Sequence, residues 1–325
     1  MHGSPSDARL CFRSIDDEDP LLILMANEIE ISDDAERLIA SLSMHERLFV
    51  AFSGGVDSTV VAAAAYRANP TFTAVTAQSP SVPEWQLQEA RRVAGEIGIE
   101  HRIVATHESE REDYRRNDRR RCYFCKDTLY DTLGSLAGGD SGVTIASGTN
   151  ADDLGDYRPG IEAGRSRGVI TPLADLHIGK RRVRELAAFF GLSNRDLPAS
   201  PCLASRVAYG VTVTPERLKR IELSETFLRE KGFNPLRVRL LENESARIEV
   251  GSALIESLQH LDRDGLVTRY LIELGFQTVE IDERGFKSGR LNETLTPNNL
   301  VQIGTPTQQR DPHLTSVQAP REASS

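Results

Sequence analysis

Reactive side chains in this chain concentrate in a trio of cysteines and in one glycine-rich loop. Cys122 and Cys125 form a C-x-x-C pair, and Cys202 lies further along in the segment SPCLASR. Thiolates are nucleophiles and metal ligands, and three of them suit a four-iron cluster with one iron open to a substrate atom. A structural zinc site usually takes four protein ligands, and the remaining cysteine, Cys11, lies in a polar N-terminal segment. A redox pair and a chance C-x-x-C remain open for Cys122 and Cys125.

Cys202 has a cation close to it in sequence. Arg206 follows four residues later, and a neighbouring guanidinium favours the nucleophilic thiolate form. The alternative is that Cys202 is a small buried hydrophobe in a connecting loop. We expect Cys202 to be the catalytic cysteine.

The glycine-rich loop has the sequence SGGVDST and covers residues 53–59. An apolar run at residues 48–52 precedes it, the pattern of a buried parallel strand, and an alanine-rich helix is predicted after it. A glycine turn between a strand and a helix surrounds one point with N–H groups and a positive dipole end, which makes a phosphate site. The loop lacks the lysine of a Walker-type P-loop. The expected phosphate-binding residues are Ser53, Gly54, Gly55, Asp57, Ser58 and Thr59, with Asp57 also holding Mg²⁺.

The elements around this loop alternate between strand and helix. Further strands are predicted at 71–78, 99–105, 143–147 and 169–173, and helices at 33–42, 83–97, 126–136 and 179–190. This order specifies an α/β fold with a doubly wound, mostly parallel sheet, whose ligands bind at the carboxyl ends of the strands. After residue 205 the pattern changes to a helix at 215–230, strands at 236–241, 246–250 and 278–282, and helices at 253–261 and 266–274.

Four regions follow from this pattern. We predict an irregular N-terminal extension at 1–30, a nucleotide-binding domain at 31–205, a small α+β domain at 206–290 and a disordered tail at 291–325, which is rich in polar residues. The net charge of −9 over 325 residues gives no general attraction to nucleic acid or to anionic membranes. No run approaches the ~18 apolar residues of a membrane span, and the few cysteines suit a reducing compartment, so we expect a cytoplasmic protein.

Several motifs together give a family resemblance. SGGVDST, GTNADDLGDYRPG, VITPLADLHIGKRRVRELAAFFGL and SPCLASR occur in this order, and the chain closely resembles the LarE family of ATP-dependent sacrificial sulfur transferases over about residues 30–288. The family belongs to the PP-loop ATP pyrophosphatases, with the fold of the adenine nucleotide alpha hydrolases. The resemblance implies that loop 53–59 binds ATP and holds the departing pyrophosphate while AMP is transferred to a substrate oxygen. It also implies a pyridinium dicarboxylate mononucleotide as substrate, in the biosynthesis of the nickel-pincer nucleotide cofactor.

The family contains two kinds of sulfur donor. In one, a lone cysteine matching Cys202 gives up its sulfur and becomes dehydroalanine. In the other, cysteines matching Cys122, Cys125 and Cys202 hold a [4Fe-4S] cluster that passes on an extra sulfide. Because this chain has all three, it resembles the second kind, and both sulfur sources stay open.

Further site residues come from the same resemblance. Arg206, Arg237 and Arg239 match arginines near the substrate phosphate. The alternative is a solvated loop charge for Arg206 and a solvated strand face for the other two. Glu225 matches a carboxylate near a metal, with a solvated helix position as its alternative. Polar residues after the fourth strand are expected to face ATP, Mg²⁺ or substrate, with the substrate roles assigned to Asp156 and Arg158. These residues are Asn150, Asp152, Asp153, Asp156 and Arg158.

Three other functions remain to be weighed. A tRNA-thiolating enzyme would need an RNA-binding surface, and the sequence shows neither an added RNA-binding module nor a basic domain. An ATP-dependent amide ligase or a non-catalytic nucleotide sensor would leave the cysteines unexplained. The arginine cluster at 115–121 is interpreted as solvated with local steering of anions. We expect no nucleic-acid or membrane partner, a homo-oligomer, and a protein that supplies sulfide.

Overall fold

The described residues are 20–138, 142–155, 158–198 and 200–286 of a computed structural model, with the side chains of 20–27 left out. The predicted tail at 291–325, residues 1–19 of the extension and Asp156 lie outside them. The described residues belong to one compact unit.

The first sheet is parallel throughout. It consists of β1 (Arg47–Ala51), β2 (Thr73–Gln78), β3 (Glu100–Ala105) and β4 (Val143–Ser147), in the order β3-β2-β1-β4. All three strand pairs are parallel. Because β2 and β3 lie on one side of β1 and β4 on the other, the order reverses at β1. This confirms the α/β prediction and places loop 53–59 at the topological switch point, where such sheets bind ligands.

Helices cover this sheet, and one of these helices is buried beneath the others. Their bounds are α1 (Pro20–Ser43), α2 (Val56–Ala68), α3 (Glu84–Ile97), α4 (Glu112–Arg115), α5 (Arg121–Leu136), α6 (Pro159–Ser166), α7 (Pro172–Asp175) and α8 (Lys180–Phe189). Residues 60–65 of α2 are fully buried, against α1, α3 and α8. Their small side chains let these helices pack closely around α2, which fixes the start of α2 beside β1.

Three predicted elements differ from the structure. Residues 20–30, expected to be irregular, are the first part of α1. The predicted strand at 169–173 is a single bridge between Ile170 and Ala146, because Pro172 begins a short helix. Helix α5 begins at Arg121, before the predicted start at residue 126, so Cys122 and Cys125 lie in its first turns.

The second sheet has its own hydrophobic core. It contains β5 (Leu236–Leu240), β6 (Ser245–Val250) and β7 (Thr278–Ile281), with an antiparallel and then a parallel pair. Its helices are α9 (Pro215–Glu230), α10 (Ile255–Leu261) and α11 (Leu266–Glu273). All five residues of β5 are buried, because α9 and the Cys202 loop both pack on this strand. β5 therefore has no solvated face, contrary to the alternative considered for Arg237 and Arg239. None of the helices in the described part of the chain is both long and apolar enough to cross a membrane.

Candidate active site

Two glycines shape the loop between β1 and α2. Gly54 has φ +74°, and a Cβ there would lie 2.9 Å from the Ala90 Cα of α3. Gly148 follows β4, and a Cβ there would lie 2.6 Å from the Ser58 nitrogen. Both glycines are required for close backbone approach, so the loop is held between α3 and the exit of β4.

The hydroxyl groups of the loop mainly brace it. Ser58 Oγ accepts from the Ser53 nitrogen at 3.2 Å and donates to the Gly55 carbonyl at 3.0 Å. Thr59 Oγ1 donates to the same carbonyl at 2.9 Å and is fully buried. Ser53 is exposed. Of the hydroxyls predicted to bind phosphate, Ser53 is therefore the accessible one, and Thr59 stabilises the loop from behind.

Asn194 completes this bracing and was missed in the sequence. Its Nδ2 donates to the Gly54 carbonyl and to Thr59 Oγ1, both at 2.9 Å. It lies after α8, far from the loop in sequence, and a lone asparagine in a turn carries no signal of such a contact.

Carboxylates gather beside the loop. Asp57 accepts a hydrogen bond from Asn150 Nδ2 at 2.7 Å. Burial raises the pKa of Asp57, and neighbouring Asp153 raises it further against the lowering effect of that hydrogen bond. Asp153 lies 2.9 Å from Arg158 and 3.4 Å from the Lys180 ammonium. Two carboxylates and an amide oxygen are the ligand types that Mg²⁺ takes, so these residues fit a magnesium–nucleotide site.

Asp152 has a different place from its neighbours. Its Oδ2 accepts from the Lys180 backbone N–H at 2.8 Å, at the start of α8. A Cβ on Gly179 would lie 2.9 Å from its other oxygen. Asp152 thus links the segment that follows β4 to the start of α8.

The three cysteines are free thiols on two segments. Cys122 is exposed, and Cys125 and Cys202 are half-buried. The Leu203 N–H donates to the Ser81 carbonyl at 2.8 Å, which anchors the Cys202 loop just beyond β2. Burial raises the pKa of Cys125, and nearby Glu108, Cys202 and Cys122 raise it further. Cys122 and Cys125 thus lie at the start of α5, and Cys202 lies in a loop anchored just beyond β2.

The three cysteines can be compared with the ligand sets of a single metal ion and of an iron–sulfur cluster. Within the described ranges, no three His, Cys, Asp or Glu side chains converge as ligands of one metal ion. A four-iron cluster is larger than one ion, so its ligands stand further apart. Three thiolates are the ligand type of an iron–sulfur cluster.

Arginines line the adjoining sheet, and they are buried. Arg206, Arg237 and Arg239 are 2%, 6% and 2% exposed, so the solvated alternative is wrong for all three. Arg239 pairs with Glu249 at 3.1 Å and donates to the Ser205 carbonyl at 3.0 Å. The Arg237 guanidinium lies over the Phe286 ring at 4.7 Å and makes no hydrogen bond or ion pair within the described residues. Burial and the nearby Arg239 and Arg206 lower the pKa of Arg237 to about 10.

Arg206 holds the Cys202 loop. It pairs with Glu225 at 2.9 Å, and its remaining amino group donates to the carbonyls of Pro201 and Cys202. Its hydrogen bonds therefore reach the main chain around Cys202. These contacts shape the loop, and action of Arg206 on the thiol or on a substrate phosphate stays a prediction.

Glu225 is neither solvated nor open to a metal. It is fully buried, and its oxygens accept from Arg206, from Arg229 at 2.8 Å and from the Val238 N–H at 3.1 Å. These donors use both oxygens, so Glu225 serves as the counter-ion of Arg206. The predicted metal contact would require breaking this network.

Buried polar groups behind the cysteines were also missed. Ser81 Oγ lies 2.7 Å from the Tyr114 hydroxyl and donates to Glu108 at 3.0 Å.

Arg121 is 6% exposed, whereas Arg116 is exposed and pairs with Asp113. The arginine cluster is therefore not one solvated patch.

A glycine-rich loop at the switch point, with carboxylates beside it, is typical of an ATP-using enzyme of the PP-loop type. Residues 40–131 match the family model described as asparagine synthase, whose domain belongs to the PP-loop ATP pyrophosphatases.

Comparison with related proteins identifies the family within the PP-loop class. The chain is 35% identical to the pyridinium-3,5-bisthiocarboxylic acid mononucleotide synthase of Lactiplantibacillus plantarum, over 81% of this chain and 95% of the relative. It is 42% identical to an uncharacterised protein of Synechocystis sp., over 77% and 94% of the two chains. It is 26% identical to an uncharacterised protein of Methanocaldococcus jannaschii, over 75% and 92%. The chain belongs to the LarE family and is an ATP-dependent sulfurtransferase.

Proposed function

We propose that this enzyme adenylates a carboxylate of a pyridinium dicarboxylate mononucleotide and replaces its oxygen with sulfur, in biosynthesis of the nickel-pincer nucleotide cofactor. One observation carries the proposal. Loop 53–59 follows β1, and the Cys202 loop is bonded to Ser81 beyond the neighbouring strand β2. The glycine-rich loop and the Cys202 loop thus lie at the same, carboxyl edge of the sheet, which supports coupled activation and sulfur transfer.

The residues suit activation of a carboxylate. A carboxylate resists nucleophiles because oxide is a very poor leaving group, and adenylation turns that oxygen into part of AMP. In the proposal, Ser53 and the glycine N–H groups hold the pyrophosphate, while Asp57 and Asp153 hold Mg²⁺ on it. The sulfur nucleophile then attacks the activated carbonyl and AMP leaves.

The substrate needs an anchor for its own phosphate. Arg237 is the arginine of the buried trio without a carboxylate partner among the described residues, so it is our choice for that contact. Arg239 and Arg206 shape the wall beside it. Arg158 remains a proposed substrate contact near Asp153, and Asp156 keeps the role predicted from the sequence.

The sulfur source divides the proposal into two forms. Cys122, Cys125 and Cys202 would hold a [4Fe-4S] cluster, which when bound supplies an open iron that carries an extra sulfide. In the alternative form, Cys202 itself gives up sulfur. A cytoplasmic location, a homo-oligomeric state and a protein that resupplies sulfide belong to the proposal too, since exposed thiols persist in a reducing compartment.

Mass spectrometry of protein and small molecule after anaerobic turnover with ATP and the dicarboxylate nucleotide tests the reaction. We expect pyrophosphate, AMP and a thiocarboxylate. Pyrophosphate release that depends on tRNA and ignores the nucleotide would contradict the substrate and favour tRNA thiolation.

Iron analysis tests the sulfur source. We expect about four irons per chain and broad visible absorbance from the wild type. Both should disappear in Cys122→Ala and persist in Cys11→Ala, the matched control. A colourless wild type whose Cys202 becomes dehydroalanine would establish the single-use form.

A further inference from the structure

Asn117 joins two segments that are distant in sequence. It lies between α4 and α5 with φ +56° and is fully buried. Its Nδ2 donates to the carbonyls of Ala208 at 2.7 Å and Val211 at 2.9 Å. The Gly210 N–H donates back to the Asn117 carbonyl at 3.3 Å. The turn before α5 is therefore bonded to the segment that follows the Cys202 loop.

Arg121 extends this link to the cysteines themselves. Its guanidinium donates to Asn117 Oδ1 and, at 2.8 Å, to the Ala204 carbonyl. Arg121 is the residue before Cys122, and Ala204 lies two residues after Cys202. One side chain thus bridges the helix that carries Cys122 and the loop that carries Cys202.

The guanidinium of Arg121 is buried and held by uncharged partners. Its hydrogen bonds within the described residues go to neutral oxygens, the side-chain oxygen of Asn117 and the carbonyl of Ala204. The cation therefore has no hydrogen-bonded carboxylate in the described part of the chain, and its hydrogen bonds join the segments that carry Cys122 and Cys202.

We propose that Asn117 and Arg121 act as positioning residues, here called the clasp, which holds the Cys202 loop against the start of α5 so that sulfur is delivered to the activated carboxylate. The role in sulfur delivery rests on the proposed function, whereas the geometry of the clasp does not. Buried hydrogen-bonded networks fix one arrangement of the chain, and a misplacement of a reacting group by about 1 Å can lower a rate about a hundredfold.

The clasp makes no hydrogen bond with the residues proposed for adenylation. Asp57 at the start of α2 is hydrogen-bonded to Asn150, which follows β4. The clasp instead joins the segments 117–121 and 204–211. Loss of the clasp should therefore uncouple the two half-reactions. Pyrophosphate release continues, and water attacks the acyl-adenylate in place of sulfur, giving back the carboxylate with release of AMP.

Thiol cross-linking in the metal-free protein tests the geometry. Dibromobimane alkylates two neighbouring thiols with loss of two bromides, and peptide mass spectrometry identifies the bridged pair. We expect a bridge between Cys202 and Cys122 or Cys125 in the wild type and in Arg116→Met, an exposed arginine of the same segment. In Arg121→Met the rate of bridging should fall about tenfold or more. Wild-type bridging in Arg121→Met would overturn the clasp.

Asn117→Gly keeps the proposal testable if Arg121→Met fails to fold. Glycine tolerates the positive φ, so this variant removes the side-chain hydrogen bonds without backbone strain. In turnover, the ratio of thiocarboxylate to pyrophosphate should fall about tenfold or more while pyrophosphate release stays within about twofold. Equal loss of both products would reduce the clasp to a general structural role. Absence of pyrophosphate release from the wild type would instead count against the proposed function.

Discussion

Asn150 Nδ2 donates to Asp57 Oδ1 at 2.7 Å and thereby joins the exit of β4 to the first turn of α2 across the switch point. This amide supports a carboxylate that the surroundings otherwise disfavour. Burial and the second carboxylate, Asp153, keep the pKa of Asp57 above its ordinary value. The ligand-free enzyme thus retains an unfavourable negative charge, as expected of a group that binds a cation.

Asp57→Asn should abolish substrate-dependent pyrophosphate release and raise the thermal stability of the ligand-free protein. The folded pKa lies above the ordinary value of 3.8, so the folded state holds the proton more tightly. The stability contributed by protonated Asp57 is fully present at a pH below the ordinary pKa. It is lost as pH rises through the folded pKa. The gain in Tm should therefore appear near pH 7 and vanish in acid.

Asp196→Asn is the control for this measurement, because Asp196 is exposed and pairs with the exposed Arg195. It should leave the melting temperature unchanged at each pH. A lower Tm of Asp57→Asn than of the wild type at pH 7 would show that the charged carboxylate stabilises the folded protein. Unchanged pyrophosphate release would remove Asp57 from the reaction.

Gly148→Ala should damage the nucleotide site through contact alone. The added methyl would lie 2.6 Å from the Ser58 nitrogen, so β4 and α2 must separate. Overpacking of this kind destabilises by about 1–3 kcal/mol, and the loop that binds ATP would be displaced. Denaturant unfolding and calorimetric titration with ATP measure the two effects.

Gly95→Ala in α3 is the matched glycine control. Nothing lies within 4 Å of its added methyl, and alanine is the better helix former. The variant should gain about 0.5–1 kcal/mol and bind ATP normally. Normal ATP binding by Gly148→Ala would contradict the close approach of β4 to the loop.

The sequence predicts the helices, strands and turns that depend on neighbouring residues, but few of the contacts between distant segments. An apolar run followed by two glycines predicted β1 and its loop, and the bounds of Val143–Ser147 and Pro215–Glu230 match the prediction. These elements depend on patterns within a few residues. The contacts of Asn194 and Glu249 depend on chain segments that meet only after folding, so no local pattern indicates them.

The arginines of β5 show the same limit. Arg237 and Arg239 alternate with apolar residues, which is the pattern of a strand with one solvated face. Burial of that face comes from the Cys202 loop, whose Ser205 carbonyl accepts from Arg239. A pattern that records only strand neighbours cannot distinguish a solvated face from one covered by a distant loop.

Arg237 and Arg239 should respond oppositely to replacement. Arg239→Met leaves Glu249 buried without its partner, and loss of one member of a buried pair destabilises by about 3–5 kcal/mol. Arg237→Met removes a buried cation that lacks a carboxylate partner among the described residues, so it should leave stability unchanged or raise it at pH 7. Because the folded pKa of Arg237, about 10, lies below the ordinary 12.5, its unfavourable effect should diminish as pH rises through that interval.

Inorganic phosphate separates this stability effect from binding. A ligand that binds only the folded state raises Tm, and the rise increases with its occupancy. Phosphate should therefore stabilise the wild type more than Arg237→Met, which keeps only the proposed phosphate site in loop 53–59. Arg247→Met is the control, because Arg247 is partly exposed on β6 and pairs with Glu280. It should keep the phosphate response. Equal stabilisation of the wild type and Arg237→Met by phosphate would place the anion site elsewhere, because the remaining arginines of the trio are already engaged by Glu225 and Glu249.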